Sequence, residues 1–217
     1  MALTEDGSAS RPPPAAPVST RATGLTVAPL IETARLRLRS YHAGDLDDLA
    51  AMRADPVVMR YVGGKTMTRL DSWSRLLRCA GTWPLLGFGF WAVEERATGR
   101  YAGEVSFFDA LRDLAPRIDV PEAGWLFATW AHGRGYATEA VSAMLAWSDA
   151  QPRMGETVCI VDTANVASQR VALKCGYVEQ RRFDYEGDAT ILYRRCAGAN
   201  GASPGSFSSP GTPTSTR

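Results

Sequence analysis

Lysine is nearly missing from this chain: it occurs only at Lys65 and Lys174, so almost every positive charge belongs to an arginine. Arginine keeps its proton near neutral pH, which leaves few groups for Schiff-base chemistry. Histidine is equally scarce, at His42 and His132, and the four cysteines, Cys79, Cys159, Cys175 and Cys196, have no paired spacing. That combination argues against structural zinc, and no metal is expected. Two of the cysteines lie inside apolar runs and read as buried thiols of a reducing compartment rather than a disulfide framework. An excess of one charge is also lacking, with Lys+Arg 24 against Asp+Glu 23. No strong field therefore favours nucleic acid or an acidic membrane surface as a partner. No apolar stretch approaches the ~20 residues of a membrane span, and no hydrophobic signal core opens the chain, so a cytoplasmic location is expected.

The chain has 217 residues, of which 45% are hydrophobic, enough for one domain with a sizeable core. Residues 1–28 are rich in Ala, Ser, Thr and Pro, and residues 197–217 in Gly, Ser, Pro and Thr. Both are expected to be disordered tails around a domain at 29–196, because they hold too little apolar surface to offset the entropy of ordering.

Within the domain, Arg35-Leu36-Arg37-Leu38-Arg39 alternates as a strand with one buried face. A helix is expected over Asp45–Ala54, ended by Pro56. A second follows a capping box of Thr68 and Asp71, with Leu70, Trp73, Leu76, Leu77 and Ala80 as its apolar stripe. Phe88–Glu95 and Arg100–Phe108 predict a hairpin turning at Thr98-Gly99, and Glu122–Trp130 a third strand of that group. Then come a helix over Tyr136–Asp149, a β-branched strand over Thr157–Asp162, a helix capped by Asn165 and closed by Gly176, and strands over Tyr177–Phe183 and Ala189–Arg195. This order predicts an α/β fold with a mixed, mainly antiparallel sheet of about seven strands and about four helices.

The segment His132-Gly133-Arg134-Gly135-Tyr136-Ala137-Thr138-Glu139 joins a strand to a helix through a glycine-rich turn. Such a turn leaves backbone N–H groups without internal partners at the positive end of the helix dipole, which suits an anion such as a diphosphate. Arg134 stands where it can add a charge-assisted bond to a phosphate. A Walker-type loop is excluded, since no Gly-Lys-Ser/Thr follows. The dinucleotide fingerprint is disfavoured by the missing third glycine and the hairpin that precedes the loop.

Taken together, His132-Gly133-Arg134-Gly135-Tyr136-Ala137 followed by Asn165, Ser168, Lys174, Gly176 and Tyr177 resembles the acetyl-CoA site of the GNAT superfamily of N-acetyltransferases. The opening Glu32–Arg39, the Pro121–Trp125 strand and the Tyr136–Ala140 helix start resemble its RimJ/RimL-type branch. His132 departs from the pattern, where Gln or Arg is more usual, and this loosens the assignment of its side chain but not of the loop amides. The resemblance implies a GNAT-like domain that transfers acetyl from acetyl-CoA directly to a primary amine. It implies cofactor contacts from Phe127, Ala128, His132, Gly133, Arg134, Gly135, Tyr136, Ala137, Thr138, Asn165 and Ser168, with the pantetheine arm pairing as an added strand.

Some relatives place a Glu on the central strand and a Tyr after the helix cap; this chain has Ile160 and Ala172 there. Glu122 as proton acceptor and Ser168 as donor to the leaving thiol are the remaining candidates. The missing pair also leaves open a contrasting reading, a non-catalytic acyl-CoA-binding module. The acceptor is expected to be a protein N-terminus or a small amine such as a polyamine or antibiotic, with Asp109, Asp113, Asp119 and Glu122 drawing a cation. The loops Arg60–Gly64 and Glu186–Asp188 are expected to wall its pocket. Monomer and homodimer are equally compatible with the sequence.

Overall fold

The computed structural model describes residues 24–198 apart from 113, 115, 116 and 153. Most of the first expected tail and nearly all of the second lie outside the described residues, as does Asp113. Ahead of residue 29, Ala28 is buried and Leu25 packs on the core.

Among the described residues, eight strands form one sheet: β1 (Ile31–Glu32), β2 (Leu36–Arg39), β3 (Phe90–Glu95), β4 (Tyr101–Phe108), β5 (Glu122–Phe127), β6 (Glu156–Asp162), β7 (Val178–Tyr185) and β8 (Asp188–Cys196). Five helices accompany them: α1 (Leu46–Ala54), α2 (Pro56–Met59), α3 (Arg69–Leu86), α4 (Tyr136–Asp149) and α5 (Val166–Lys174). The expected sheet of about seven strands and set of about four helices agree with this architecture, which has one more of each. The extra strand is the two-residue β1 and the extra helix is the short α2, both too brief to carry a periodic signal.

The sheet runs β1-β2-β3-β4-β5-β6-β8-β7 and is antiparallel except between β5 and β6. Both faces of its centre are covered, which is why β4 is buried along nearly its whole length instead of alternating. One apolar cluster, with Trp91, Val105, Phe107, Val141, Met144 and Leu145, lies under α4 and α5. The other, with Leu49, Met52, Leu76, Cys79 and Phe90, lies under α1 and α3.

The helix caps follow the local chemistry. Thr68 and Asp71 close their box around the start of α3, and the Asn165 side chain accepts the Ser168 N–H at the start of α5. The buried face of α3 differs from the expected stripe: Ser72, Leu76, Cys79 and Trp83 face inward, whereas Leu70, Leu77 and Ala80 are exposed. Trp83 decides that rotation by packing edge-on to Trp91 at 4.6 Å and Trp147 at 5.6 Å. The third strand of the hairpin group stops at Phe127, and Thr129–Ala131 is a turn of 3-10 helix rather than strand.

Candidate active site

Strands β5 and β6 are the site's frame because they touch and then part. Their parallel ladder holds one aligned pair, Glu122 with Val158, beyond which the strands diverge. Parallel neighbours normally share evenly spaced bonds along their length. Here the sheet opens instead, and a cavity of about 700 Å3 runs from α1 and α3 across β4 and β5 to β6 and the first turn of α5. That size suits a small ligand and its reacting partner.

Just before α4, Gly133 and Gly135 take φ of +74° and +77°, which L side chains rarely adopt. Gly135 is the N-cap of α4 and supplies no side-chain cap, so the first N–H groups of the helix have no internal partner. The turn is braced from a distance: Arg35 donates through Nη1 to the Arg134 carbonyl at 2.9 Å and pairs with Glu139 at 2.6 Å. Thr33 adds a bond to the same Glu139 at 2.6 Å.

Of the residues expected at the site, Glu122, Asn165 and Ser168 line the cavity. The Trp125 indole N–H points to Ser168 Oγ at 3.3 Å. Glu122 is buried, and both its oxygens accept from Arg112, at 2.7 and 2.8 Å. The other expected residues lie outside the cavity wall. Phe127 turns its ring into the α4-side core, and the Ala128 N–H donates to the Ala102 carbonyl at 2.9 Å. His132 is tied through Nε2 to the Phe127 carbonyl at 2.9 Å, which fixes the loop's entry. The Tyr136 ring is buried with its hydroxyl on Glu95 at 2.5 Å, so only its backbone can face a ligand. Arg134 lies over Trp130 with Glu95 at 3.6 Å. Ala137 packs against the core, and the Thr138 carbonyl lies 3.8 Å from Cys175 Sγ.

The expected loops do wall the cavity, through Tyr61, Val62 and Gly63 on one side and Tyr185, Glu186 and Asp188 on another. Of the expected acidic cluster, Asp109 and Glu122 line the cavity; Asp119 does not and stands 3.9 Å from Arg194.

Sequence reading missed the cavity's most charged feature. Glu104, buried on β4, receives Arg53 at 2.5 Å and Arg75 at 2.6 Å on one oxygen and the Tyr41 hydroxyl at 2.7 Å on the other. Burial alone would raise its pKa; Arg75 and Arg53 outweigh that and hold the carboxyl at about 2. A lone glutamate inside an otherwise apolar strand was the available signal, since such a charge needs a partner. Two buried thiols are held protonated by contrast. Burial pushes Cys79 up to about 12 and Cys159 well above the usual range. Among the described residues, no group of three His, Cys, Asp or Glu could hold a metal ion, and no helix is long and apolar enough to cross a membrane.

The Asn165 cap ties the cavity wall to stability. Asn165→Ala is expected to cost about 1 kcal/mol through the lost Ser168 N–H bond, measured by denaturant unfolding.

Comparison with known proteins places this geometry. Residues 35–178 match the family model described as the acetyltransferase (GNAT) domain. The uncharacterised Bacillus subtilis protein YkkB is 31% identical over 149 residues, 66% of this chain and 82% of that protein. A structure described as a GnaT-family acetyltransferase from Bordetella pertussis superposes with a TM-score of 0.69 at 27% identity, covering 78% of this chain and 100% of that one. RimL, described as a ribosomal protein alpha-N-acetyltransferase in complex with coenzyme A, shares the fold with a TM-score of 0.66 at 15% identity, over 79% and 100% of the two chains.

Proposed function

Since the chain belongs to the GNAT acetyltransferase family, a class of acetyl-CoA-dependent transferases, we propose that it passes acetyl from acetyl-CoA directly to a primary amine. The observation that carries this reading is the opening of β5 from β6 beside the uncapped start of α4. The diphosphate rests on the backbone N–H groups of Gly133 to Thr138 at the positive end of that helix. Arg134 leaves Glu95 to reach a phosphate oxygen. The pantetheine arm lies along β5 as an added strand, with the Phe127 and Ala128 backbone beside it and Asn165 across the gap. The thioester carbonyl meets a backbone N–H of the Leu126–Phe127 region, which steadies the charge that develops on attack.

The amine reaches the acetyl carbon from the α1–α3 side. An N-terminal amine near 8 is partly neutral at physiological pH, so a strong base is unnecessary. Glu122, four residues along β5 from the thioester, takes the proton through a chain of cavity waters, because a carboxylate has about four acceptor sites and Arg112 uses two. Ser168 donates a hydrogen bond to the departing thiolate, which takes its proton from solvent. The Trp125 indole occupies one lone pair of the Ser168 oxygen and leaves its O–H free to make that bond. No cysteine lines the cavity among the described residues, and direct transfer forms no covalent enzyme intermediate. RimL, by its description, acts on a ribosomal protein; here the acceptor is a primary amine of a protein N-terminus or of a small molecule.

Calorimetry with acetyl-CoA, followed by thiol release across peptides and small amines, tests this. Binding with release from at least one amine is the expected result, and absence of both ends the proposal. Ser168→Ala and Glu122→Gln are each expected to lower kcat about 100-fold while leaving acetyl-CoA affinity within about twofold. Tight cofactor binding without thiol release, unaltered in both variants, would identify the chain as a binding module instead.

A further inference from the structure

The charges around the cavity are sorted by position. At the end formed by α1, α3 and β4, Arg53 and Arg75 share one glutamate, and Arg78 lines the same wall. Arg112 and Glu122 neutralise one another further along. At the α1–α3 end two arginines, Arg53 and Arg75, therefore share a single carboxylate, a local excess of one positive charge, while Asp109 also lines the cavity. The hydrogen bonds agree with that excess. The Arg53 side chain is 2% exposed, and Nε of both Arg53 and Arg75 is buried without a hydrogen-bond partner among the described residues. Arg78 is exposed and has no carboxylate within ion-pair distance among those residues. Holding Arg53 and Arg75 on one carboxylate with buried N–H groups left idle is costly, and an arginine fork is shaped to receive a planar or tetrahedral oxyanion. The other end, where β6, β8 and the β7–β8 turn meet, is lined by Asp162, Glu186 and Asp188.

From this arrangement we propose that the acceptor amine also carries an oxyanion, a carboxylate or a phosphate, and that this group seats on Arg53, Arg75 and Arg78. The idea rests on the acetyltransferase reading and specifies its acceptor. The acidic end draws the acceptor's ammonium group toward the β5–β6 opening, and the basic end receives its anion. Register limits the spacing between them. Glu104, which both arginines hold, lies directly across from Leu126, whose backbone borders the expected thioester. Directly paired strand residues have Cα atoms roughly 5 Å apart, so the carboxylate that holds the arginines starts from the backbone position next to the reacting centre. A compact acceptor fits, such as a short ω-amino acid, an aminoalkyl phosphate, or an N-terminal residue with an acidic side chain. A polyamine does not, since it would bring a second positive charge to the arginines.

Thiol-release kinetics on matched acceptors read the preference. The series compares ω-amino acids of three to six carbons with their amides, with diamines of equal length, and with aminoalkyl phosphates. The acid or the phosphate is expected to exceed its uncharged counterpart in kcat/KM by about 10-fold or more, and whichever is better names the anion. Arg78→Ala and Arg75→Gln are expected to bring that ratio to about 1 without changing acetyl-CoA affinity. Arg75→Gln leaves Glu104 its Arg53 and Tyr41 partners, so the fold should hold, as circular dichroism can verify. Equal or better use of amides or diamines overturns the proposal.

A second measurement does not depend on turnover or on the cofactor. Pentanoate, butyl phosphate and pentanamide are titrated into the protein with and without saturating coenzyme A. Binding of an anion but not the amide in both states, weakened in Arg75→Gln, supports the proposal, and no preference for the anions overturns it. Failure to bind acetyl-CoA while anion binding persists would discard the acetyltransferase reading and keep the arginine site.

Discussion

Glu104→Ala is expected to lower unfolding stability by about 3–5 kcal/mol, the range for removing one member of a buried ion-paired group. The loss comes less from missing attraction than from what remains. Arg53 and Arg75 would stay in a site nearly closed to water with no counter-charge, and the Tyr41 hydroxyl would lose its acceptor. Titration reaches the same group without mutation. The Glu104 carboxyl, ordinarily near 4.5, is held at about 2 in the native state, so the unfolded chain binds its proton first. Its contribution is therefore complete above about pH 4.5 and fades as pH falls from there toward 2. Denaturant midpoints measured from pH 6 to pH 2 should drop steeply in the wild type and more gently in Glu104→Gln. Equal slopes would show that this carboxylate does not hold the cluster together.

Gly103→Ala is expected to cost about 3 kcal/mol and most of the acetyl-CoA affinity, for a different reason. A Cβ built at residue 103 lies 2.2 Å from the Leu126 carbonyl oxygen and 2.8 Å from the Phe127 Cα. Those are backbone atoms, which cannot turn aside as a side chain would, so β5 must shift away from β4. The shift falls at the end of β5 that borders the β5–β6 opening, and any cofactor lying there loses its alignment. Thermal unfolding and acetyl-CoA calorimetry on the same variant separate the two effects. A variant of normal stability and normal affinity would show that the close approach of the strands is dispensable.

The elements that sequence reading located best are those whose signals are local. The Thr68–Asp71 box, the Asn165 cap and the start of α4 at Tyr136 each depend on side chains or glycines within a few residues of the helix end. The candidate site was legible to the same extent. The glycine loop and the Asn165-x-x-Ser168 pattern lie within single turns and were found, whereas the Arg35–Glu139 brace joins positions about a hundred residues apart and was not. The rotation of α3 was misread because Leu70 and Leu77 suit an apolar stripe as well as Leu76 does. Only Trp83, meeting Trp91 and Trp147, selects which face turns inward.

The chain's own order of residues settles its class of fold, the caps of its helices and the glycine turn before α4, since each follows from backbone preferences and spacing over a few positions. Tertiary structure alone decided that β5 and β6 part after one pair and that Glu122 lies against Arg112. It also decided that two arginines from separate helices converge on Glu104. Those features depend on which distant segments share a burial site, and charge and solvent exclusion act through space rather than along the chain.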